Sequence, residues 1–200
     1  MGRTLRFGLF CAIATVLAVR TEAADGSQLP AVRIVLHNST TSPDSVLTEA
    51  RAFSVSVFEA AGVDLQIDDE APRVCPAVAS GPFCVQVLIR PRNRISQPGP
   101  KRTMGMALAA DANRAVLSVY LDAVTDVARR YGLPVGKVLG IALAHELGHV
   151  LLPPPSHSAE GIMQAAWEGD DLRKAAVSAL AFNGDQAGLI RERLTRRTAQ

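Results

Sequence analysis

Residues 134–163 constrain the fold of this chain more than any other segment. Pro134 opens a helix of mostly apolar residues, and three consecutive prolines, 153–155, end it because proline lacks the backbone amide that a helix needs. Within this helix His145 and His149 are four residues apart, which places both imidazoles on one face, one turn apart. Buried imidazoles need polar partners, and a single metal ion provides one for both. The segment therefore predicts a buried helix that carries two metal ligands.

Glu146 directly follows the first histidine and completes the pattern H-E-x-x-H at residues 145–149. In sites of this pattern a zinc ion lowers the pKa of its bound water to roughly 7, and the glutamate accepts the proton of that water. The alternative, two surface histidines on an amphipathic helix, fits poorly with apolar neighbours such as Leu147. We therefore predict His145 and His149 as zinc ligands and Glu146 as the general base.

A catalytic zinc ion has three protein ligands and one open position, so a third ligand must come from outside the helix. His157 lies just beyond the prolines, and a turn that ends at this residue would return its imidazole to the other two. In the alternative, His157 is an exposed loop residue and Glu160 or Glu192 supplies the third ligand. Asp122 or Asp126 could orient a ligand histidine through a hydrogen bond.

This stretch resembles the metzincin clan of zinc metallopeptidases, whose pattern is H-E-x-x-H-x-x-G-x-x-H followed by a Met-turn. Residues 145–149 match without change. Leu152 stands at the glycine of the pattern and Pro155 at its third histidine, so His157 comes two residues late. The prolines also force the chain out of the helix, as the glycine does in the clan. The resemblance implies that one zinc ion binds the three histidines, with water at the fourth position.

Two further details add to the resemblance. HELGH and His157-Ser158 are similar to the matrixin branch, and Gly161-Ile162-Met163 is similar to the Met-turn, which places a methionine side chain beneath the metal. With Trp167 included, the pattern is similar to an uncharacterised group of secreted bacterial metzincin-like proteins. The alternative for Met163 is a plain core methionine. The tyrosine that follows the Met-turn in some branches is missing from this sequence.

Periodicity along the rest of the chain predicts an α+β fold. Strand alternation is found at 31–37, 63–69, 83–90, 104–110 and 115–121, and helical spacing at 43–61, 122–131, 134–152 and 172–196, the last interrupted near Asn183-Gly184. His37 ends the first strand and is interpreted as structural. The resemblance implies a zincin fold with a twisted, mixed five-stranded sheet and a small, mostly helical C-terminal subdomain. It also makes 104–110 the edge strand, where Gly105, Met106 and Ala107 are expected to bind an extended peptide by strand addition.

The first 23 residues are typical of a secretory signal peptide, because Arg3 and Arg6 precede an apolar run too short for a comfortable membrane span. The alternative is an uncleaved anchor. Cleavage removes three of 21 basic and one of 19 acidic residues, which leaves 18 of each and no charge excess that favours nucleic acid or a membrane surface. Export predicts a disulfide between Cys75 and Cys84, with two free thiols as the alternative. The basic residues at 90–102 are interpreted as a solvated loop.

Together these features predict a secreted or periplasmic monomer in which residues 24–200 form a single zinc-dependent endopeptidase domain. Residues 24–152 form an upper subdomain with the zinc helix, and residues 153–200 form a lower subdomain with the third ligand and the Met-turn. The expected partner is a peptide or protein substrate, with no nucleic acid and no stable membrane association after signal cleavage. The alternative is a secreted zinc-binding module without turnover, against which the intact Glu146 argues.

Overall fold

The structure of the chain is a computed structural model that describes residues 29–68, 75, 81–92, 103–110, 114–177 and 180–198. The predicted signal peptide, most of the basic loop at 90–102 and the hairpin turn at 111–113 lie outside the described residues. Within the described ranges no helix is both long and apolar enough to cross a membrane.

The described chain forms five strands and five helices, which confirms the predicted α+β class. In chain order the elements are β1 (Ala31–Asn38), α1 (Asp44–Ala60), β2 (Asp64–Asp68), β3 (Phe83–Arg90), β4 (Gly105–Ala110), β5 (Arg114–Tyr120), α2 (Leu121–Tyr131), α3 (Val135–Leu151), α4 (Gly169–Val177) and α5 (Gly184–Thr198).

All five strands form one mixed sheet in the order β2-β1-β3-β5-β4. The pairs β1–β2, β1–β3 and β3–β5 are parallel, whereas β4 runs antiparallel to β5. Helix α1 joins β1 to β2, as a parallel pair requires, while β4 and β5 follow each other as the predicted hairpin. Strand β4 is therefore an edge of the sheet, as expected for residues 104–110.

Helix α3 is buried along nearly its whole length, as its apolar sequence predicts. It packs against α1, and glycine allows the two backbones to approach closely, because a Cβ atom at Gly140 would lie 2.8 Å from the carbonyl oxygen of Ala50. The Ser54 hydroxyl of α1 donates a hydrogen bond to the Gly140 carbonyl at 3.2 Å. These contacts fix the position of the helix that carries His145 and His149.

The C-terminal helical region forms two helices, which confirms the predicted interruption near Asn183-Gly184, but the first helix begins three residues earlier than predicted, at Gly169. The Asp171 carboxylate accepts a hydrogen bond from the Glu168 amide at 3.0 Å, which stabilises this earlier first turn. Helix α5 begins with a capping box. The Asn183 and Gln186 side chains each accept a hydrogen bond from the other residue's backbone amide, at 2.9 and 3.1 Å.

Cys75 and Cys84 form the predicted disulfide, with 5.7 Å between their Cα atoms. Both cysteines are buried together with Val35 of β1, and Cys84 belongs to β3. The bridge links Cys75 to strand β3 of the sheet. Disulfides of this kind are typical of proteins that fold in an oxidising compartment.

Candidate metal centre

Three histidines from two parts of the chain converge at one point: His145 and His149 on α3, and His157 in the loop that follows. These three residues are called the histidine trio below. The Nε2 atoms of His145 and His149 are 3.0 Å apart, and one ring nitrogen from each of the three lies within 4.8 Å of the others. Two nitrogens bound to one tetrahedral zinc ion, with bonds of about 2.0–2.1 Å, are about 3.3 Å apart. The trio is therefore a donor set that one ion can bridge.

The loop after α3 brings His157 next to the other two histidines, although His157 comes two residues later in the sequence than the metzincin pattern requires. The centre of the His157 ring lies 5.5 Å from that of His145 and 4.7 Å from that of His149. The loop is held by a backbone hydrogen bond in which the Ser158 amide donates to the Met163 carbonyl at 2.9 Å. His157 itself is exposed, so this member of the trio lies at the mouth of the site.

The glutamates considered as alternative third ligands lie elsewhere. Glu192 of α5 forms a surface ion pair with Arg196, and Glu160 is exposed. Among the described residues the histidine trio is the one group of three or more His, Cys, Asp or Glu side chains that could share an ion. His157 is thus the residue that completes the donor set.

Hydrogen bonds to Nδ1 aim the two helical imidazoles at each other. The Nδ1 atom of His145 lies 2.8 Å from the Ile162 carbonyl, which can only accept, so Nδ1 carries the proton and Nε2 presents a lone pair. The Nδ1 atom of His149 lies 2.6 Å from the Ser156 hydroxyl. With both Nδ1 atoms engaged, both Nε2 atoms point to one place, which is the arrangement that a metal ion requires.

The two acidic residues considered as orienting groups have other partners. Asp122 accepts a hydrogen bond from the Arg92 amide at 2.9 Å, and Asp126 pairs with Arg129. The groups that orient His145 and His149 are instead a backbone carbonyl and a serine hydroxyl. This corrects the expectation that an aspartate orients these rings.

Burial keeps both helical imidazoles uncharged. It lowers the pKa of His145 to about 4. The hydrogen bond to Ile162 raises this pKa and so opposes the effect of burial, whereas the nearby His149 and His157 lower it further by smaller amounts. The pKa of His149 is also lowered, first by burial and then by His157. Both rings are therefore neutral near pH 7, and the neutral imidazole is the form that binds metals.

The side chain of Glu146, a residue of α3, packs against the edge strand β4 and is largely buried, with 8% of the residue exposed. Burial raises the pKa of its carboxyl to about 7, and a hydrogen bond from the Ala107 backbone opposes this rise. Gly105 provides the space, because a Cβ atom there would lie 2.5 Å from Cγ and 2.8 Å from Cδ of Glu146. Two of the three β4 residues predicted to bind substrate, Gly105 and Ala107, thus also hold the Glu146 carboxylate, while Met106 is 37% exposed.

Met163 packs directly against α3, next to the trio. A Cβ atom at Gly148 would clash with the Met163 thioether, so the sulfur fills the space where a side chain would otherwise stand beside His149. Met163 is fully buried, and the turn that leads to it contains Gly161 with a φ of 81°. The residue named from the Met-turn resemblance therefore lies against the helix that carries His145 and His149.

A cleft of about 1010 Å³ opens in front of the trio and Glu146. Its walls come from β4, α2, α3, α4 and the segment 165–167, and they include Val127, Tyr131 and Leu172 as well as the charged Asp126 and Arg130. The Trp167 ring packs edge-on against His145, with 4.8 Å between ring centres. The cleft has the size that is typical of ligand sites, and its walls combine apolar side chains with several polar and charged ones.

The sequence reasoning missed the residues that support the trio. Ser156, the Ile162 carbonyl and Gly105 each make a contact across the fold, which no local pattern indicates. One signal was available: Asn183 and Gln186 have the spacing of a capping box and mark the start of α5.

Comparisons with protein-family models, with curated proteins and with solved structures find no match for this chain. Its mixed five-stranded sheet and its three adjacent histidines are compatible with a zincin-like fold. The donor set could hold a metal ion, and three imidazoles are a ligand set that suits zinc among other transition metals.

Proposed function

We propose that this protein is an extracytoplasmic, zinc-dependent endopeptidase of metzincin type. The observation that carries the proposal is that the histidine trio and Glu146 line one cleft beside the edge strand β4. The sequence supports the same proposal. It contains the H-E-x-x-H pattern and a third histidine after the prolines that end the helix.

A zinc ion held by the trio would polarise the carbonyl of the scissile bond and lower the pKa of a water molecule to about 7. The protein supplies the remaining chemistry. Glu146 accepts the proton of the attacking water and delivers it to the leaving amine. The Ala107 backbone and the space beside Gly105 fix the carboxylate for both transfers.

An extended peptide is the substrate that suits the cleft. An edge strand offers main-chain donors and acceptors to a segment that adds as a further strand, and β4 lies on the rim of the cleft. The apolar walls formed by Val127, Trp167 and Leu172 would receive a substrate side chain next to the scissile bond. We propose that the protein acts on peptide segments that can be extended, within a peptide or a protein.

The proposed location is outside the cytoplasm. The disulfide between Cys75 and Cys84 supports it, because such bridges persist in oxidising compartments. The predicted signal peptide at residues 1–23 supports it independently. We propose that the mature protein acts there as a monomer.

Cleavage of a mixed peptide library tests the proposal. The purified protein is compared with Glu146→Gln, which keeps the size of the side chain but cannot accept a proton from water, and with Glu160→Gln as a matched control on an exposed glutamate. Each protein is assayed with and without a chelator, and its zinc content is measured. We expect the original protein and Glu160→Gln to cleave. We expect chelator or Glu146→Gln to reduce cleavage about 100–10,000-fold, through loss of the metal or of the base.

Cleavage that persists in Glu146→Gln or in the chelator would contradict this mechanism. Bound zinc without cleavage by any of the proteins would instead favour the alternative, a secreted zinc-binding module without turnover.

A further inference from the structure

We propose that Ser156 is a positioning residue that orients two metal ligands at once, and that Gln186 of α5 holds it in place. This inference rests on the histidine trio being a metal centre. Ser156 lies in the loop after α3, directly before His157, and is half-buried.

The hydroxyl of Ser156 acts on His149. Its Oγ atom lies 2.6 Å from Nδ1 of that imidazole. A histidine that binds a metal through Nε2 carries its proton on Nδ1, so the Ser156 hydroxyl accepts this hydrogen bond. A fixed acceptor sets both the tautomer and the rotation of the ring, and thereby directs Nε2 of His149 toward Nε2 of His145, 3.0 Å away.

The carbonyl of Ser156 acts on His157. It accepts a hydrogen bond from the Gln186 side-chain amide at 3.3 Å. This carbonyl belongs to the planar peptide unit that joins Ser156 to His157, so the bond fixes the backbone from which the His157 side chain extends. One residue therefore reaches two ligands, His149 through its hydroxyl and His157 through its peptide unit.

Gln186 is itself held on both sides. It is 8% exposed, and its side-chain oxygen accepts a hydrogen bond from the Asn183 amide at 3.1 Å, which leaves the NH2 group directed at Ser156. Helix α5 is anchored to the fold by the buried Ile190 and by Arg191, which donates to the Ala61 carbonyl at 2.7 Å. Because α5 is fixed in this way, the hydrogen bond from Gln186 at its start also fixes the loop that carries the third ligand, His157.

Two residues of the same types and neighbourhoods serve as matched controls. Ser158 lies on the other side of His157, and its hydroxyl donates to the Glu160 carbonyl at 2.7 Å, within the loop. Asn183 contributes the other half of the α5 capping box, and its side chain takes no part in the hydrogen bond from Gln186 to Ser156. Replacing Asn183 therefore leaves that bond intact. Gln186→Leu and Asn183→Ala each remove one capping interaction, and only the first removes the bond to Ser156.

Zinc affinity measured by competition with a chromophoric chelator tests the inference. The dissociation constant is compared for the original protein, Ser156→Ala, Ser158→Ala, Gln186→Leu and Asn183→Ala, with circular dichroism to verify folding. We expect Ser156→Ala and Gln186→Leu to weaken zinc binding about 10–100-fold, as loss of a group that orients a metal ligand does, and the two controls to change it less than about threefold. The visible spectrum of bound Co²⁺ should change in the same two variants, and Ser156→Thr, which keeps the hydroxyl, should restore it.

Equal zinc affinities and Co²⁺ spectra for Ser156→Ala and Ser158→Ala would overturn the role of Ser156. Equal losses in Gln186→Leu and Asn183→Ala would overturn the role of Gln186, because the capping box alone would then explain them. If Ser156→Ala fails to fold, the comparison of Gln186→Leu with Asn183→Ala decides. An original protein that binds no zinc would overturn the metal centre itself, whereas one that binds zinc without sensitivity to Ser156 would overturn only the positioning role.

Discussion

Replacing Gly105 with alanine should displace the Glu146 carboxylate without disturbing the histidine trio. Gly105 lies in β4, and the three atoms nearest to an added Cβ all belong to the Glu146 side chain. The first atoms that the added Cβ meets therefore belong to the residue that we propose as the general base. Because the clash involves a side chain that can rotate, we expect the carboxylate to move and the fold to persist.

The size of the effect follows from the distances. Carbon atoms in favourable contact are about 3.5–4.0 Å apart, so a Cβ atom 2.5 Å from Cγ of Glu146 requires a displacement of about 1 Å or more. This movement would also break the hydrogen bond from the Ala107 backbone. A misplacement of about 1 Å in a catalytic group costs about 100-fold in rate, or about 2.7 kcal/mol in the activation free energy.

The assay measures kcat, KM and zinc content on a peptide that the original protein cleaves. We expect Gly105→Ala to lower kcat about 100-fold, with bound zinc unchanged, because the atoms nearest to the added Cβ belong to Glu146 and not to the trio. Gly188→Ala is the control, since an added Cβ there meets no atom within 4 Å. A kcat of Gly105→Ala within about threefold of the original value would refute the reasoning on Glu146, given the expected 100-fold loss. So would loss of zinc from a folded variant.

Three further predictions concern stability. Gly188→Ala should raise the free energy of unfolding in urea by about 0.5–1 kcal/mol, because alanine is a better helix former than glycine and meets no clash in α5; a lower value would contradict this. Replacing Cys75 and Cys84 together by serine should lower the free energy of unfolding by about 2–3 kcal/mol, because the bridge no longer restrains the unfolded chain. An unchanged urea midpoint would contradict this prediction. Zinc at about 100 times its dissociation constant should stabilise the protein by about 2.7 kcal/mol, or roughly 5–11 °C in Tm. His145→Ala should abolish that rise, and a rise that survives would place the ion elsewhere.

The elements of the fold were predictable because their signals are local. Alternating apolar residues identify β1 and β3, and the buried helix α3 follows from a long apolar run between Pro134 and the three prolines at 153–155. The positions of His145 and His149 on one face of that helix follow from helical geometry alone. The disulfide needed one further premise, the oxidising compartment inferred from the signal peptide.

The remaining features depend on contacts between distant parts of the chain. The support of His149 by Ser156 depends on the path of a proline-rich loop, for which no spacing rule exists. In the sequence Gly105 is not distinguished from other strand residues. Its role depends on Glu146, whose side chain occupies the space that a side chain at Gly105 would need. The sequence therefore predicted the three candidate metal ligands, and the fold shows which groups contact them and Glu146.

The most direct test of the metal centre is the zinc content of the purified protein and of His157→Ala, measured by elemental analysis. His37→Ala is the matched control, because His37 lies in β1 and is the one histidine of the sequence outside the trio. We predict one zinc ion per molecule in the original protein and in His37→Ala, and loss of most of it in His157→Ala, since two imidazoles cannot hold the ion as three do. Full retention of zinc by a folded His157→Ala would contradict the account and would point to a carboxylate as the third ligand.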